Sequence, residues 1–422
     1  MGAVYALAFA EAGFRVACAD ADQSVLKRLT RGKTVVSERE MESKLKGYVR
    51  AGTLNATDDL KDAVAESSIV VLTSSANVDE KGNLDFSEVK NNCKQIGSGL
   101  QRGALVVFAG LAGFGFTECV VKETLEGASG FKVGVDFGLA YMQDQINEVG
   151  QSGDVAGSRD LMVAANDKPS LDAASLILSI MARSSVKQIG SVKVAELAAL
   201  FASARRNVST GLANEFAVFC ERVGVDVFQV LEFMNGKTRK TDDYPTISSD
   251  VKKRATELLL ESAENLEVKL RLPALAVQVN EDVVRHAVNL TQSVLRDCGK
   301  TLRRARIAVL GATGQGTSEE AFVKMLVGKG SRLNLFNPRD ARSDDSNPLV
   351  SKKRSLIEAV ESCDCIVILS AEEQFRRLSL KSLRSMMKWP AAVVDLVGLF
   401  ERERVESEGF LYRGLGRGVG RK

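Results

Sequence analysis

The chain alternates short apolar strand patterns with helix patterns near both ends, and this arrangement constrains its fold more than any other feature. Near the N-terminus, the helical AVYALAFAEAG is followed by apolar FRVACAD, SSIVVLTSS and ALVVFAG, with helical stretches between them. A second alternating block begins at residues 306–311, RIAVLG, and continues through RLNLFNP, CIVILS and AAVVDL. Because parallel strands need crossover connections, this alternation predicts two α/β domains, each with a doubly wound parallel sheet.

Between the two blocks, the apolar residues follow a helical period. Residues 192–234 place apolar side chains three or four positions apart, which is typical of one face of a long helix. Gly224 is predicted to end that helix. We expect an N-terminal Rossmann-like domain at residues 1–165 and a central helical domain at 166–300. A C-terminal Rossmann-like domain is expected at 301–422.

The composition argues against several classes of partner. The net charge is +3, and lysine and arginine are scattered among acidic residues, so no basic surface for nucleic acid is expected. No apolar run reaches the roughly 18 residues of a membrane span, and no secretory leader is apparent. Seven cysteines without paired spacing favour reduced thiols, a cytoplasmic location and no metal site.

The first residues carry part of a dinucleotide-binding pattern. Such a loop runs Gly-X-Gly-X-X-Gly between a strand and a helix, so that backbone N–H groups face the pyrophosphate. The sequence begins at the third glycine, Gly2, without the strand of this pattern. Two interpretations stay open: the true start lies further upstream, or this domain does not bind a dinucleotide. Asp20 ends the next strand pattern, and it is either a ribose ligand or a solvated strand-end aspartate.

A second glycine loop opens the C-terminal block. Residues 307–317 read IAVLGATGQGT, which is the order strand, glycine loop, helix. Gly311, Gly314 and Gly316 could let the backbone approach a phosphate, and the following helix N-terminus favours an anion. Their spacing differs from the dinucleotide pattern. The loop is therefore interpreted either as a nucleotide or phosphate site or as a tight structural turn.

Four stretches resemble, in the same order, the family of UDP-glucose, UDP-N-acetylmannosamine and GDP-mannose dehydrogenases. They are LAFAEAGFRVACADAD, VDEKGNLDFSEV, KVAELAALFASARRNVSTGLANEFAVFCERVGVDVFQV and VVDLVGLFERERVESEGFLYRGLGRG. The resemblance implies NAD in the N-terminal domain, a UDP- or GDP-sugar in the C-terminal domain, and a homodimer formed through the long central helix. It also implies oxidation of a sugar C6 alcohol to a carboxylate for polysaccharide biosynthesis, in two hydride transfers.

The resemblance also assigns catalytic positions, and most hold another residue type here. The threonine position is Leu111, the lysine position is Ala199 and the asparagine position is Ser203. Asp144 stands at the glutamate position and is the surviving catalytic candidate. The lysine and asparagine of the family stabilise an oxyanion, which is a use of donors aimed at developing charge.

Two further family positions differ. The family's cysteine nucleophile has no counterpart, since no cysteine lies between Cys220 and Cys298. The family's late Asp-Gly-Arg is Asp395-Leu396-Val397 here, without the arginine. Two functions therefore stay open: an NAD-dependent nucleotide-sugar 6-dehydrogenase by ancestry, or an inactive relative. The inactive relative would bind a nucleotide sugar or regulate an active paralogue.

Overall fold

A computed structural model of the chain describes residues 2–33, 39–75, 77–78, 84–111, 113–145, 160–182, 186–235, 244–247, 250–312, 317–338 and 347–418. The chain forms two compact units. Unit 1 comprises Met1–Ala202 and Glu257–Val268, and unit 2 comprises Ser203–Thr256 and Lys269–Lys422. The three-domain division given above stays a prediction.

Unit 1 combines short strands with flanking helices. Its strands are β1 (Val16–Ala19), β2 (Leu54–Thr57), β3 (Ile69–Leu72), β4 (Asn77–Val78), β5 (Leu84–Asp85), β6 (Leu105–Phe108), β7 (Gly138–Gln145), β8 (Asp160–Ala164) and β9 (Val186–Ile189). Its helices are α1 (Gly2–Glu11), α2 (Gln23–Thr30), α3 (Arg39–Arg50), α4 (Leu60–Ala65), α5 (Ser87–Gly99), α6 (Glu123–Ser129) and α7 (Lys168–Ala182), with a π-helical turn at Thr117–Lys122 before α6. The long helix α8 (Val192–Val223) begins in this unit.

The larger sheet of unit 1 has the order β3-β6-β7-β8-β9, while β1 and β2 form a separate parallel pair. Pairing is parallel from β3 to β7 and again from β8 to β9, as the alternating pattern predicts. The pairing of β7 with β8 is antiparallel, with Tyr141 opposite Ala164. The strands that the sequence pattern named all pair in parallel, and this antiparallel pair is an addition that the pattern did not identify. These two strands are consecutive in the chain, and an antiparallel pair needs no crossover helix.

Unit 2 contains the second alternating block and several helices that precede it. Its strands are β10 (Arg306–Leu310), β11 (Arg332–Phe336), β12 (Val350–Lys352), β13 (Cys365–Ile368), β14 (Ala392–Asp395) and β15 (Leu411–Gly414). Its helices are α9 (Val227–Asn235), α11 (Arg271–Asp297), α12 (Ser318–Gly328), α13 (Leu356–Val360), α14 (Glu373–Arg376), α15 (Leu380–Met386) and α16 (Arg402–Ser407), while α10 (Asp250–Asn265) contributes residues to both units.

The sheet of unit 2 is parallel throughout and has the order β12-β11-β10-β13-β14-β15. Strands β13 and β14 are buried along their whole length, and β10 is buried after its first residue. Continuous burial is expected of strands covered by helices on both faces. Cys363 and Cys365 lie within this buried layer, where burial raises the pKa of both thiols. The predicted second doubly wound domain is confirmed.

The long central helix also follows the sequence pattern. It spans 32 residues and ends at Val223. Gly224 follows with a φ of 78°, a left-handed conformation that favours glycine, and α9 begins at Val227. The predicted break at Gly224 is confirmed. Across the described residues, none of the helices combines the length and apolar character that a membrane crossing requires.

Buried asparagines join α8 to α11 within unit 2. Asn280 on α11 donates through its amide to the side-chain oxygen of Asn207 at 2.8 Å and to the Asn207 carbonyl at 3.1 Å. Its own side-chain oxygen accepts from the amide of Asn214 at 2.8 Å. Asn214 also exchanges hydrogen bonds with the backbone of Thr246. Asn280 therefore connects two positions of α8 that lie two turns apart.

Replacing Asn280 with alanine is expected to lower the free energy of unfolding by about 2 kcal/mol, because the buried side chains of Asn207 and Asn214 each lose one hydrogen-bond partner. Urea unfolding of the full chain measures this difference. Asn289→Ala is the matched control, since Asn289 is exposed on the same helix, and it should change the value by less than about 0.5 kcal/mol. Equal losses in the two variants would contradict the stabilising role of the asparagine cluster.

Candidate functional site

The carboxyl ends of β1, β2 and β3 border a cleft of about 450 Å³ in unit 1. Ligands of open parallel sheets bind outside the carboxyl ends of the strands. The described lining residues include no lysine or arginine, so the cleft fits a hydroxyl-bearing group better than a bare anion. Its polar lining comes from Asp20, Asp58, Ser67, Thr73, Ser74, Ser75, Glu88, Asn92 and Gln95.

Asp20 lies directly after β1 at this cleft, and its side chain is exposed. Its carboxylate accepts a hydrogen bond from the backbone N–H of Asp22 at 2.9 Å, which holds the side chain at the strand end. Asp22 in turn caps α2 by accepting from the N–H of Ser24 at 2.7 Å. Hydrogen bonds from the Ser24 side chain and backbone lower the pKa of the Asp22 carboxyl. An exposed carboxylate at this position can accept hydrogen bonds from ribose hydroxyls.

Gly2 begins α1 close to the same end of the sheet. A Cβ at Gly2 would lie 3.4 Å from the Thr73 hydroxyl, one residue beyond β3. The first N–H groups of a helix have no partner within the helix and favour an anion. The N-terminus of α1 therefore lies beside the carboxyl end of β3, where the dinucleotide pattern places a pyrophosphate.

Hydrogen bonds tie the ends of β3 and β6 together. The backbone N–H of Leu111 donates to the Ser75 hydroxyl at 2.9 Å, and the Asn92 amide donates to the Ser74 hydroxyl at 2.8 Å. At Gly110 a Cβ would lie only 2.0 Å from the Ser74 carbonyl oxygen, so the close approach of the two loops requires glycine. Leu111, at the family's threonine position, therefore contributes a backbone N–H to this packing.

Glu196 is a buried carboxylate that the sequence analysis did not identify. It lies on α8, is 1% exposed, and accepts from the backbone N–H groups of Gly115 at 2.7 Å and Thr117 at 2.9 Å. Burial raises its pKa, although the two backbone hydrogen bonds act in the opposite direction. The side chain therefore fixes the segment after β6 against α8. The sequence feature that could have identified Glu196 is its position as the one charged residue in the apolar run VAELAALF.

The other α8 positions named by the resemblance carry no charge. Ala199 is buried and Ser203 is half-buried. Lys193 is the single lysine of α8, and its ammonium group pairs with the Glu118 carboxylate at 2.9 Å on the surface. This pairing and its hydrogen bond lower the pKa of Glu118. The single lysine of α8 is thus paired with Glu118, six residues before Ala199.

Asp144 lies in β7, paired opposite Leu161 of β8. Its side chain falls outside the described residues, so its assignment as a catalytic group stays a prediction. The stretch 236–243, within the region where the family carries its cysteine, is also outside them. Cys220, on the preceding helix, is buried, and burial raises the pKa of its thiol. A raised pKa disfavours the thiolate that a nucleophile needs.

Gly311 ends β10 with a φ of 90° in unit 2. A Cβ at this position would lie 2.1 Å from the hydroxyl oxygen of Ser370, which follows β13. The close approach of the segments after β10 and β13 therefore requires glycine. Thr317 caps α12 by accepting from the N–H of Glu320 at 3.1 Å. Gly314 and Gly316 lie outside the described residues. Close packing accounts for Gly311, and the phosphate assignment of the loop stays a prediction.

Asp395 points into the core rather than toward a ligand site. It is fully buried and accepts from the backbone N–H groups of Val397 at 3.1 Å and Phe400 at 2.8 Å, and from the Tyr412 hydroxyl at 3.3 Å. Burial raises the pKa of its carboxyl. Asp395 therefore holds the turn after β14, at the position of the family's Asp-Gly-Arg.

The NAD-binding domain of the UDP-glucose/GDP-mannose dehydrogenase family matches residues 1–178, and the central domain of the same family matches residues 193–282. The chain belongs to this family. The resemblance in the sequence analysis is confirmed, and NAD is the cofactor by resemblance. The matched NAD-binding domain contains both Gly2 and Asp20.

Similar proteins cover almost the whole chain. The UDP-glucose 6-dehydrogenase of Rhizobium meliloti is 26% identical over 445 residues, covering 99% of this chain and 97% of that protein. The UDP-N-acetyl-D-mannosamine dehydrogenase of Pyrococcus horikoshii is 24% identical over 430 residues, with the same coverage. A solved structure of the UDP-D-ManNAc dehydrogenase from Pyrococcus horikoshii matches with a TM-score of 0.80 at 23% identity. It covers 98% of this chain and 96% of that one.

Glu196 should make stability depend on pH. Because its folded-state pKa is raised above the ordinary value of 4.5, its contribution is fully present below the unfolded pKa and is lost as pH rises through the folded value. The unfolding midpoint of the chain, relative to that of Glu196→Gln, should therefore fall as pH rises above about 4.5. Glu215→Gln, at an exposed site on α8, should follow the unmodified chain at every pH. Parallel pH curves for the Glu196→Gln variant and the unmodified chain would contradict this account.

Proposed function

We propose that the chain binds NAD at the unit 1 cleft and oxidises a UDP- or GDP-sugar. The observation that supports this most strongly is the carboxylate- and hydroxyl-lined cleft beside Asp20, within the matched NAD-binding domain. The named relatives act on UDP-glucose, UDP-N-acetylmannosamine or GDP-mannose. These names support the substrate class without selecting one sugar or one base. A place in polysaccharide biosynthesis is proposed from the family resemblance alone.

The residues of unit 1 suit the adenosine half of NAD. The Asp20 carboxylate would accept hydrogen bonds from the ribose hydroxyls, and the N-terminus of α1 at Gly2 would face the pyrophosphate. Bound NAD supplies a hydride acceptor. We propose that Asp144 orients water or receives the proton of the sugar hydroxyl. The Ser75–Leu111 hydrogen bond and Glu196 would keep the loops after β3 and β6 in place around the cofactor.

A second candidate function is binding without turnover, with the chain regulating an active paralogue. It is favoured by the residues at the family's catalytic positions, Leu111, Ala199 and Ser203, and by the absence of a cysteine between Cys220 and Cys298. Without a thiol, no thioester can form to divide the second oxidation into easier steps. Loss of one oxyanion donor costs roughly 10²–10³ in rate.

Calorimetry and absorbance separate the two functions. NAD, NADH, UDP, UDP-glucose and GDP-mannose are titrated into the full chain, and NADH formation is followed with each sugar nucleotide. Binding of NAD together with NADH release establishes the dehydrogenase. Binding of both ligands without NADH formation favours the second candidate, binding without turnover. Absence of NAD binding under conditions where the chain is folded overturns the proposed cofactor site.

Asp20→Ala should weaken NAD binding about tenfold or more, because a charged acceptor for the ribose hydroxyls is removed. The dissociation constant from calorimetry measures the effect. Asp172→Ala, at an exposed site on α7, is the control and should leave the constant unchanged. An unchanged affinity in the Asp20 variant would identify this aspartate as a solvated strand-end residue.

We also propose a homodimer formed through the α8 apolar face, defined by Leu212, Phe216, Phe219 and Val223. These side chains recur every three or four residues and are exposed, with Phe219 65% exposed. Such a continuous apolar stripe is typical of a helix that packs against a partner. Two copies of one face can pair about a two-fold axis, which is the commonest symmetry of soluble oligomers.

The double variant Phe216→Glu/Phe219→Glu should convert the dimer to a monomer, because two carboxylates would be buried against apolar side chains. Light scattering coupled to size exclusion measures the mass. Glu264→Lys changes charge at an exposed site outside the α8 apolar face, and it should remain dimeric. A dimer that persists in the double variant would contradict this interface.

A further inference from the structure

The amino ends of β10 and β11 in unit 2 carry a cluster of exposed cations. Arg306 and Arg332 are register partners on these parallel strands, and both are exposed at the first strand position. Their side chains therefore lie on one face of the sheet, with the two strands about 5 Å apart. We call the whole cluster the basic edge, and its members are Arg303, Arg304, Arg306, Lys329 and Arg332, all exposed. Arg303 and Arg332 are 29 positions apart in the sequence, so composition alone did not show the cluster.

Hydrogen bonds hold the two segments that carry these cations together. The backbone N–H of Arg304 donates to the Gly330 carbonyl at 2.8 Å. The buried hydroxyl of Ser331 donates to the Leu302 carbonyl at 2.9 Å. The segment before β10 is thus fixed to the segment before β11, and the cations share one ordered support.

Arg304 adopts a backbone conformation that disfavours arginine. Its φ is 68°, in the left-handed region where a Cβ is sterically unfavourable. The adjacent turn has glycine in this conformation, at Gly330 with a φ of 82°. Strained backbone of this kind persists mainly where the residue has a role. The arginine at 304 therefore presents its charge at a cost in backbone strain.

The described acidic side chains leave the charge of the basic edge uncompensated. Both carboxylate oxygens of Asp364 are engaged, since one accepts from the backbone N–H of Arg306 at 2.9 Å and the other pairs with the Lys300 ammonium at 2.8 Å. Glu361 is an exposed acidic residue shortly before β13. None of the five cations forms an ion pair with an acidic side chain in the part of the chain that the structure describes. Clustered like charges attract a surface of the opposite sign, so the basic edge fits an anionic partner.

The same end of the sheet carries the chain's single tryptophan, shortly before β14. The Lys300 ammonium donates to the carbonyls of Lys388 at 2.7 Å and Pro390 at 2.6 Å, which joins this turn to the segment before β10. Trp389, between them, is 38% exposed. Lys388 and Arg384 add two exposed cations around it. The cationic surface therefore extends from β11 to β14 and ends at an exposed aromatic side chain.

The surroundings of Trp389 favour a lipid surface over nucleic acid. The Arg384 guanidinium lies over the ring, 5.2 Å from its centroid, and the Phe410 ring centroid is 5.1 Å away. Stacking of a nucleic-acid base needs an open ring face, and these groups already cover the indole. An exposed tryptophan among cations is typical of surfaces that lie at the headgroup level of an anionic bilayer.

We propose that the basic edge and Trp389 dock unit 2 on a membrane surface that contains anionic lipids. With Arg384 and Lys388, the surface presents seven exposed cations, and clusters of about four to eight are sufficient for such binding. Each cation near the surface contributes about fivefold to the partition coefficient. The amino ends of the strands are opposite the carboxyl ends, where parallel sheets bind small ligands, so docking leaves the ligand side of the sheet open.

Cosedimentation of the full chain with lipid vesicles tests the proposal. Vesicles of phosphatidylcholine with about 30% phosphatidylserine should bind the protein at least about tenfold better than phosphatidylcholine alone. Binding should fall steeply between about 0.05 M and 0.5 M NaCl, because salt screens exposed charges. Absence of binding to the anionic vesicles at low salt overturns the proposal.

Trp389 reports which surface docks, because the chain has no other tryptophan. Its fluorescence emission should shift to shorter wavelength on vesicle binding, and brominated lipids should quench it, since the exposed part of the ring enters the headgroup region. Vesicle binding with neither change would place the docking surface elsewhere and overturn the assignment.

The double variant Arg306→Gln/Arg332→Gln should lower the partition coefficient about 30-fold, because two of the charges are removed. Lys61→Gln/Lys94→Gln is the matched control, since it removes two exposed cations of unit 1, and it should change the coefficient less than about threefold. Equal losses in the two double variants would show an effect of net charge alone and would overturn the basic edge as the docking surface.

Arg304→Gly removes one charge where glycine fits the left-handed backbone, so this variant is expected to fold. It should bind the anionic vesicles about fivefold less, and unchanged binding contradicts docking through the basic edge. A labelled single-stranded oligonucleotide is tested at the same low salt. If it binds with a change in Trp389 emission while the vesicles do not bind, the partner is nucleic acid and the lipid assignment is overturned. None of these measurements uses NAD or a sugar nucleotide, so the outcome does not depend on the proposed function.

Discussion

Backbone pairing of parallel strands is the constraint on which both units depend. A strand inside a parallel sheet must satisfy N–H and C=O groups on two edges, and helices must cover both of its faces. In unit 2, β10 meets this requirement between β11 and β13, and the apolar core forms around it. In unit 1, a cavity lies between β1 and β3, and Val16, Cys18, Ile69 and Val71 are half-buried.

Buried polar side chains fix loops and helices outside the sheets through hydrogen bonds. Glu196 fixes the segment after β6 through two backbone N–H groups, and Asp395 fixes the turn after β14 through two others. Asn280 connects α8 to α11. Glu196, Asp395 and Asn280 all have such partners, which offset the cost of burying a polar group. Asp395 thus has a structural role at the position of the family's Asp-Gly-Arg.

Membership in the family does not by itself determine the chemistry, which depends on particular side chains. The matched domains place NAD in unit 1 by resemblance. Ala199, Ser203 and Leu111 supply neither the cation nor the side-chain amide that the family's oxidation uses, and the sequence contains no cysteine between Cys220 and Cys298. Fold and ancestry are therefore shared with the relatives, while activity is a property of the site and stays a proposal for this chain.

Local periodicity was sufficient to predict the apolar strands of unit 2, the long helix α8 and its end at Gly224. Each of these depends on neighbours in the chain: an apolar run forms a buried strand, and a glycine can adopt a left-handed turn. The family resemblance could also be recognised from the sequence, because it rests on motifs that occur in the family's order. Asp20 could be located at a strand end, although its role as a ligand was left open, because a strand-end aspartate is also common as a solvated residue.

Tertiary structure alone decided the features that depend on partners distant in the chain. The antiparallel pairing of β7 with β8 joins strands that no local pattern relates. Glu196 accepts from Gly115 and Thr117, 81 and 79 positions away, and Asp395 accepts from the Tyr412 hydroxyl inside the core. The sequence determined which segments become strands and helices, because that choice depends on the period of their apolar residues. The tertiary structure decided which edges pair and which carboxylates are buried, because backbone hydrogen bonds and desolvation act only once distant segments come together.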